Sequence, residues 1–225
     1  MSATRPGPMF GAGSIPELAF AVQGAAPVPY AAAPTLGFAL RIDSVAGEPI
    51  RSILLDVQIQ IAARRRAYDA RAEERLFELF GAVADWSTNL RTLLWTRMTL
   101  VVPPFASSTV VDVNVPCSYD LEVAASRYFD ALADGEVRLE FLFSGSLFYT
   151  GAAGQLQTAR LSWEHEAEYR LPVAVWRETM ERHFAGTAWL RIEKDRFDRL
   201  AAYRSRHALA RWEDVVDALL GEGEA

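Results

Sequence analysis

Apolar and polar residues alternate along several stretches of the chain, which is the pattern of a β-strand with one buried face. Residues 36–42 and 55–61 show it most clearly, and only a short connection with a turn at 46–49 separates them. Two consecutive alternating stretches with a short connection predict an antiparallel hairpin. The same pattern predicts further strands at residues 17–23, 98–102, 109–115 and 119–125.

A longer strand is predicted at residues 137–149, where Gly145 stands between two serines. A glycine inside a strand indicates a bulge or a close approach of another backbone. After a turn at 151–154, residues 161–169 alternate again and predict one strand with a semi-apolar face and a charged face. The charged face carries glutamates, and the semi-apolar face carries Trp163, His165 and Tyr169.

Helical spacing of apolar residues replaces alternation in other regions of the chain. Residues 69–81 predict a helix that Asp69 caps and Gly81 ends. Pro172 fits the first turn of a helix and introduces the C-terminal part. In this part we predict three helices, at residues 173–186, from a cap at Asp195 onward, and at 209–220. Earlier in the chain, residues 86–95 predict a short helix or a covering loop, and residues 128–132 predict a local turn.

Strands in the first part of the chain and helices in the last part predict an α+β fold. We expect an antiparallel β-sheet covered by C-terminal helices, with a partial sandwich as the alternative arrangement of the extra N-terminal strands. No repeat or low-complexity linker divides the chain. The predicted organisation is a flexible tail at 1–16, a single domain at 17–220 that is strand-rich to 170 and helical from 171, and a flexible tail at 221–225.

Composition narrows the classes of protein that fit this pattern. The chain has 225 residues, 51% of them hydrophobic, and a net charge of −6. Its single cysteine, Cys117, excludes an intramolecular disulfide framework and any multi-cysteine zinc or iron–sulfur site. The chain has no apolar run long enough to span a membrane and no recognisable signal peptide, so we expect a cytoplasmic protein without membrane insertion. We predict no metal and no cofactor.

Charge is unevenly distributed along the chain. Residues 101–170 hold four arginines and ten acidic residues, and an acidic surface repels the phosphates of nucleic acids. We therefore expect no nucleic-acid partner. Arg64, Arg65 and Arg66 form a basic triplet, which predicts either a solvated guard at a strand end or a site for phosphate or anionic lipid. The sequence leaves these alternatives open.

Two features carry residue types that are used in catalysis. Glu164, His165 and Glu166 combine a histidine with carboxylates, and Glu168 extends the row. On a strand, however, His165 points away from the glutamates, so a half-buried histidine is the favoured interpretation and a catalytic or metal-dependent site is the alternative. Cys117 has no histidine or cation beside it that would activate a thiol. The motifs G-x-S-x-G, G-x-x-x-x-G-K-[ST], G-x-G-x-x-G and H-E-x-x-H do not occur, which lowers the expectation of an enzyme.

Aromatic residues concentrate between positions 141 and 176, on two predicted strands and the helix that follows. Most of them are expected in the core. A sheet with helices on one face has only one dry side, however, and Leu142 and Leu147 place apolar residues on both sides of the long strand. Part of this surface can also stay open as a groove for another polypeptide chain, and the sequence does not decide between groove and full burial. The residues predicted to bind a partner are Phe143, Leu147, Tyr149, Trp163 and Trp176.

The C-terminal half resembles the SecB-type export chaperones. Residues 170–204, RLPVAVWRETMERHFAGTAWLRIEKDRFDRLAAYR, follow the order of that family: the end of a strand, Leu-Pro, a helix, a short extended link, and a second helix with the pattern D-x-F-D-x-L. The resemblance covers residues 117–204 and rests on patterning, with few identical residues. It implies an antiparallel sheet packed on helices, self-assembly through sheets, and binding of non-native polypeptide along apolar grooves. The added N-terminal strands and the weakly acidic tail depart from the family, so contact with the export motor is not implied.

The whole chain is also similar to an uncharacterised family of high-GC bacteria associated with gene neighbourhoods of nickel–iron hydrogenases. That similarity implies an accessory protein that chaperones or adapts a hydrogenase component. We therefore expect a non-enzymatic, chaperone-like or assembly accessory protein that binds a polypeptide partner through an apolar groove, with a homo-oligomer as one form. The alternatives are a structural subunit of a larger complex, and an enzyme or metal-dependent binder that uses the His165 carboxylate cluster.

Overall fold

A computed structural model describes residues 15–118, 123–162, 164–187 and 192–223. These residues form an α+β fold built on antiparallel sheets, which confirms the predicted class. The chain divides into two compact units, Met1–Thr187 and Ala188–Ala225, where the pattern predicts a single domain over 17–220. Of the predicted tails, residues 1–14 and 224–225 lie outside the described residues, and residues 221–223 are helical.

The first of two sheets in the first unit has three strands. In it, β1 (Leu18–Pro27) and β5 (Ser108–Pro116) pair with opposite edges of β2 (Thr35–Ser44). Every second side chain along the middle of β2 is fully buried. The alternating stretch therefore forms a central strand with one face in the core.

The second sheet has five strands. The strand β3 (Ile50–Ile61) lies between β4 (Leu93–Val102) and β6 (Glu136–Thr150). The other edge of β6 is shared, because its first half pairs with β8 (Glu166–Pro172) and its second half pairs with β7 (Leu156–Leu161). The predicted long strand is thus confirmed, and it organises this sheet.

Aromatic residues join the two sheets face to face. Phe20 of the first sheet stacks on Phe143 of the second, with ring centroids 4.4 Å apart, and Phe38 meets Phe141 edge-on at 5.3 Å. Aromatic pairs of this kind contribute about 0.5–1.5 kcal/mol beyond the area that they bury. The partial sandwich is therefore the arrangement that the protein adopts.

The predicted hairpin of residues 36–42 and 55–61 is wrong. These residues belong to β2 and β3, which lie in different sheets, and residues 45–49 connect the two sheets. A bridge between Ile50 and Phe105 follows this connection. Alternation indicates which face of a strand is buried, and both strands bury a face in the same core. It does not indicate which strand lies alongside.

Three further segments differ from the prediction. The stretch predicted as one strand at 161–169 falls at the end of β7 and the start of β8, which pair with different halves of β6. Residues 93–95 begin β4 instead of continuing a helix or loop. Residues 128–131 end the helix α4 (Ala124–Ala131) and residue 132 caps it, where a local turn is predicted. The strand predicted at 119–125 lies partly outside the described residues, and its last two residues begin α4.

The helices of the first unit are short, apart from the last. The predicted helix over 69–81 is interrupted at Leu76, but its ends are confirmed. The carboxylate of Asp69 accepts a hydrogen bond from the amide of Ala72 at 2.7 Å, and Gly81 ends the segment with a φ of 72°. These helices are α1 (Ala70–Arg75), α2 (Phe77–Phe80), α3 (Trp86–Asn89), α4 (Ala124–Ala131) and α5 (Val173–Phe184).

The helix α5 packs on the sandwich, as predicted for the segment after Pro172. Its Trp176 stacks on Phe129 of α4 with ring centroids 4.4 Å apart, and Trp95 of β4 contacts both rings. These three aromatic side chains join the two helices to the edge of the five-stranded sheet.

The second unit contains α6 (Lys194–Arg206) and α7 (Trp212–Gly223). Glu193 occupies the position before α6, and Asp195 lies in its first turn, so the predicted cap at Asp195 is wrong. Among the described helices of both units, none is long and apolar enough to cross a membrane.

Candidate functional site

Four of the five residues predicted to bind a partner lie in the interior. Phe143, Leu147, Tyr149 and Trp176 each expose 5% or less of their surface, and Trp163 lies outside the described residues. The four side chains pack between the sheets and under α5. Trp176 also borders a cavity of about 400 Å³ beside α4 and α5, and Phe143 borders the cavity on the outer face of the sheet. Their role in binding stays a prediction.

Gly145 lies where the backbones of β6 and β3 approach each other closely. Its φ of 144° and the position of β3 leave no room for a side chain, because a Cβ here would lie 2.0 Å from the carbonyl oxygen of Leu54. The close backbone approach predicted from the Ser-Gly-Ser sequence is therefore confirmed.

The glutamates around His165 do not converge with it. The ring of His165 lies 5.4 Å from the ring of Phe20, towards the sheet interface, whereas Glu164 and Glu166 line a cavity on the outer face. Glu168 forms ion pairs with Arg65 and Arg138. In the described part of the chain, no group of three histidine, cysteine or carboxylate side chains is placed to hold a metal ion.

Cys117 is a buried thiol at the end of β5. Burial raises the pKa of the thiol from 9.0 to about 12, and its Sγ lies 3.4 Å from the carbonyl oxygen of Val115. A thiol with this pKa is protonated at neutral pH, and the thiolate is the nucleophilic form. The geometry therefore gives Cys117 a packing role at neutral pH.

The basic triplet is used within the chain. Arg64 donates to the carbonyl oxygens of Ser87 and Leu90 at 2.8 and 2.5 Å, and Arg65 pairs with Glu140 and Glu168. Arg66 donates to the carbonyl oxygens of residues 134 and 136, at the turn before β6, with distances of 2.7 and 2.8 Å. The three side chains tie the end of β3 to its neighbours, which favours the structural interpretation of the triplet over a site for an external anion.

The outer face of the five-stranded sheet contains a cavity of about 540 Å³. Leu142 is an apolar residue of the cavity lining. Arg97 of β4 and Glu166 of β8 line the cavity from the two strands that flank β3 and β6. Arg97 and Glu166 form no ion pair in the described part of the chain. The other lining residues are Asp56, Gln58, Phe143, Ser144 and Glu164.

The strand β4 forms one edge of this sheet, beside the cavity. Among the described strands it pairs only with β3, so the backbone groups on its other side have no strand partner. Leu94 and Val101 expose 60% and 69% of their surface, and Leu54, directly opposite Val101 in the ladder, exposes 44%. Together, β4, Leu54, Leu94 and Val101 are called the β4 edge below.

Natural proteins block exposed edges with proline, lysine, short strands or strong bulges. From Thr96 to Val102, β4 has no proline or lysine and only one charged residue, Arg97. The irregularity in its pairing lies earlier, at Trp95. Two of the other edges are less suited to strand addition: β1 contains Gly24 and ends at Pro27 after a register shift, and β7 is short.

The sequence predicts this strand, but it does not predict that one edge of the strand lacks a strand partner. The alternation from Met98 to Val102 predicts a strand, and Pro103 with Pro104 predicts its end. Which strands lie beside it depends on pairs distant in sequence, and no local pattern reports them.

A comparison with protein families identifies the family of this chain. The model for the family of unknown function DUF6084 matches residues 15–225, so the chain belongs to the DUF6084 family. No curated protein matches it.

Several solved structures show a weak likeness to the chain. The CARDB domain of a Pyrococcus furiosus protein, in complex with di-metal ions, is similar at a TM-score of 0.28 and 11% identity, over 69% of this chain and 91% of that chain. A putative late embryogenesis abundant protein is similar at 0.32 and 14%, over 70% and 73%. A β-glucosidase from Kluyveromyces marxianus is similar at 0.24 and 8%, over 69% of this chain and 15% of that chain. These TM-scores are too low to support a conclusion about fold or function.

Proposed function

We propose that this member of the DUF6084 family is a non-enzymatic, cytoplasmic protein that binds a polypeptide partner as a chaperone-like or assembly accessory factor. The observation that carries the proposal is the β4 edge, a strand that is paired on one side only and that exposes Leu94 and Val101. An extended segment of the partner adds to this edge as a further strand of the sheet.

Strand addition suits a partner that is not yet folded. The main-chain hydrogen bonds supply affinity whatever the partner's sequence, and side chains at alternate positions supply selectivity. Leu54 and Val101 lie side by side on the outer face, and they offer an apolar surface to the side chain of the added segment that lies next to Val101. The buried aromatic residues of the interior are not needed for this step.

The proposal replaces the apolar groove of the sequence prediction with an edge, and it keeps the same class of partner. Assembly of a nickel–iron hydrogenase component is one setting for such a protein, on the resemblance of the whole chain. A structural subunit would use the same edge permanently. A metal-dependent role at His165 has no comparable support, since its ring faces Phe20 and the neighbouring glutamates line the outer face.

A pair of lysine substitutions tests the β4 edge. In the variant Leu94→Lys/Val101→Lys, two positive charges stand beside the free backbone groups, which is how natural edges resist strand addition. We expect it to bind a permanently unfolded, reduced and carboxymethylated model protein about tenfold more weakly than the unmodified chain, a loss of about 1.4 kcal/mol. Fluorescence anisotropy of the labelled model protein measures the affinity.

The matched control places two lysines at exposed positions outside the strands, Val45 and Val83, which expose 58% and 46% of their surface. This control is expected to bind as the unmodified chain does. Hydrogen exchange of the backbone amides of β4 gives a second readout, because an added strand protects them. Equal binding by both variants, or no protection of β4 by the bound polypeptide, would contradict the proposal.

A further inference from the structure

The second unit leaves large apolar side chains in solvent. Phe197 of α6 exposes 41% of its surface, and on α7 the exposed fractions of Val216 and Leu220 are 53% and 64%. Trp212 and Leu219, also on α7, are exposed as well. Scattered exposed apolar residues are common on proteins, but a continuous set on one element marks an interaction surface.

These side chains share one face of α7. Trp212, Val216, Leu219 and Leu220 follow the spacing of i, i+4, i+7 and i+8, which places them in a single stripe along a helix. Trp212 also holds the two helices together, because its ring lies 5.2 Å from the ring of Phe197 and 4.4 Å from the guanidinium carbon of Arg204. The stripe beyond Trp212 has no comparable ring contact within the described residues of the unit.

A pair of helices this short is not expected to be stable through its own contacts. Helices of about 12–15 residues are marginal alone in water, and small units acquire stability by associating. The apolar stripe is the surface on which α7 can gain that stability.

The charges of the two helices indicate what covers the stripe. The segment of α6 contains five basic and two acidic residues, and that of α7 contains four acidic residues and no basic one. Glu213 and Asp217 stand exposed on α7, and neither forms an ion pair in the described part of the chain. A second α7 would be repelled by these carboxylates, whereas a basic helix is attracted to them.

We infer that the α7 stripe is a dimerisation surface whose occupant is the α6 helix of a second copy of this chain. In a two-fold dimer the contact occurs twice, because each copy offers its acidic, apolar α7 to the basic α6 of the other. Four helices then enclose the apolar residues that are exposed in one copy. This surface is separate from the β4 edge, so either proposal can fail without the other.

Aspartate substitutions on the stripe test the contact in the full chain. We expect the unmodified protein to sediment as a dimer at micromolar concentration, and Val216→Asp/Leu220→Asp to raise the dissociation constant of the dimer by about 100-fold, since two charges are placed in an apolar interface. The control Val45→Asp changes an equally exposed valine outside the unit and should leave the dimer intact. Analytical ultracentrifugation gives the constants, and circular dichroism checks that the helices remain.

A charge exchange between two copies identifies α6 as the occupant. One variant carries Arg196→Glu/Arg199→Glu on α6, and the other carries Glu213→Arg/Asp217→Arg on α7. Each variant alone places like charges across the interface and is expected to be monomeric. A mixture of the two restores opposite charges at both contacts, so a mixed dimer should form.

The mixture separates a contact between copies from one inside a chain, because mixing cannot repair repulsion within a single chain. A monomeric unmodified protein, a dimer that survives the aspartate variant, or a mixture that stays monomeric would each overturn the inference. Binding of the monomer to phospholipid vesicles through Val216 and Leu220 would overturn it as well, since it would assign the stripe to a membrane surface.

Discussion

The two faces of β6 differ in what the sequence reveals and in what a partner can reach. The inward face carries Phe141, Phe143 and Tyr149, which are buried between the sheets. The outward face carries Leu142 and Ser144, which line an open cavity. The aromatic residues of β6 therefore lie mainly in the core of this protein. The residues of the same strand that a partner can reach are the non-aromatic Leu142 and Ser144.

The edges of the five-stranded sheet also differ from its central strands in what a partner can reach. The strands β3 and β6 are paired on both sides, whereas β4 is paired on one side only. Capacity for strand addition is thus a property of topology, and it depends on which strand ends the sheet. The interior supplies the stability that keeps β4 extended and available.

The largest effect is expected from Phe143→Ala, on the inward face. The ring of Phe143 stacks on Phe20 and lies 6.4 Å from the ring of Phe141. Its removal leaves a cavity between the sheets and should lower the free energy of unfolding by about 3–5 kcal/mol. Urea unfolding, followed by tryptophan fluorescence, measures the change.

The matched control is Leu142→Ala, the next residue of the same strand on the outward face. It should cost less than about 1 kcal/mol, because Leu142 is only half-buried. A Phe143→Ala protein of undiminished stability with weakened polypeptide binding would break the contrast between the faces and restore the aromatic groove as the binding site.

A somewhat smaller loss of unfolding free energy is expected from Gly145→Ala, at a close approach of β3 and β6. The added methyl group would lie 2.0 Å from the carbonyl oxygen of Leu54, in a backbone conformation that residues with a side chain rarely adopt. Separation of the strands and backbone strain should together cost about 3 kcal/mol of unfolding free energy, measured by the same urea titration.

Gly24→Ala is the control for this change. Gly24 also lies in a strand, but no heavy atom lies within 4 Å of the position of its Cβ. Its substitution should shift stability by less than about 1 kcal/mol. Equal losses at the two glycines would show that the effect reflects strand glycines in general and not the close approach.

The sequence predicts those parts of this contrast that depend on local pattern. Alternation placed the buried faces of β2, β3 and β6 correctly, and the serines around Gly145 marked the close approach. Helical spacing placed α5, and Asp69 with Gly81 marked the ends of a helical segment. Each of these features is decided by residues that are neighbours in the chain.

The remaining features depend on contacts between distant residues. The strands β2 and β3 follow one another in the chain and still lie in different sheets, and β7 and β8 share the edge of one long strand. The free edge of β4 results from these pairings. Side-chain alternation carries no information about them, because it is the same for a central strand and an edge strand.

The smallest effect on stability at neutral pH is expected from Cys117→Ala. The reactivity of Cys117 tests whether the interior is closed to water at the end of β5. Because burial raises the pKa of its thiol to about 12, a thiol reagent should modify Cys117 at pH 8 only as fast as the protein unfolds. A chain with Cys117→Ala and Ser144→Cys carries its thiol on the open outer face instead. That thiol should react within seconds to minutes, as followed by absorbance.

The raised pKa of Cys117 also predicts a dependence of stability on pH. The folded state holds the thiol proton more tightly than the unfolded chain, whose thiol has a pKa near 9.0. The stabilising contribution is therefore complete below pH 9 and declines as the pH rises towards about 12, by at most about 1.4 kcal/mol per pH unit. Relative to Cys117→Ala, the unmodified chain should lose stability across this window in urea unfolding. A constant difference between the two proteins, or labelling of Cys117 as fast as that of the outer-face cysteine, would mean that this end of the sandwich is open to water.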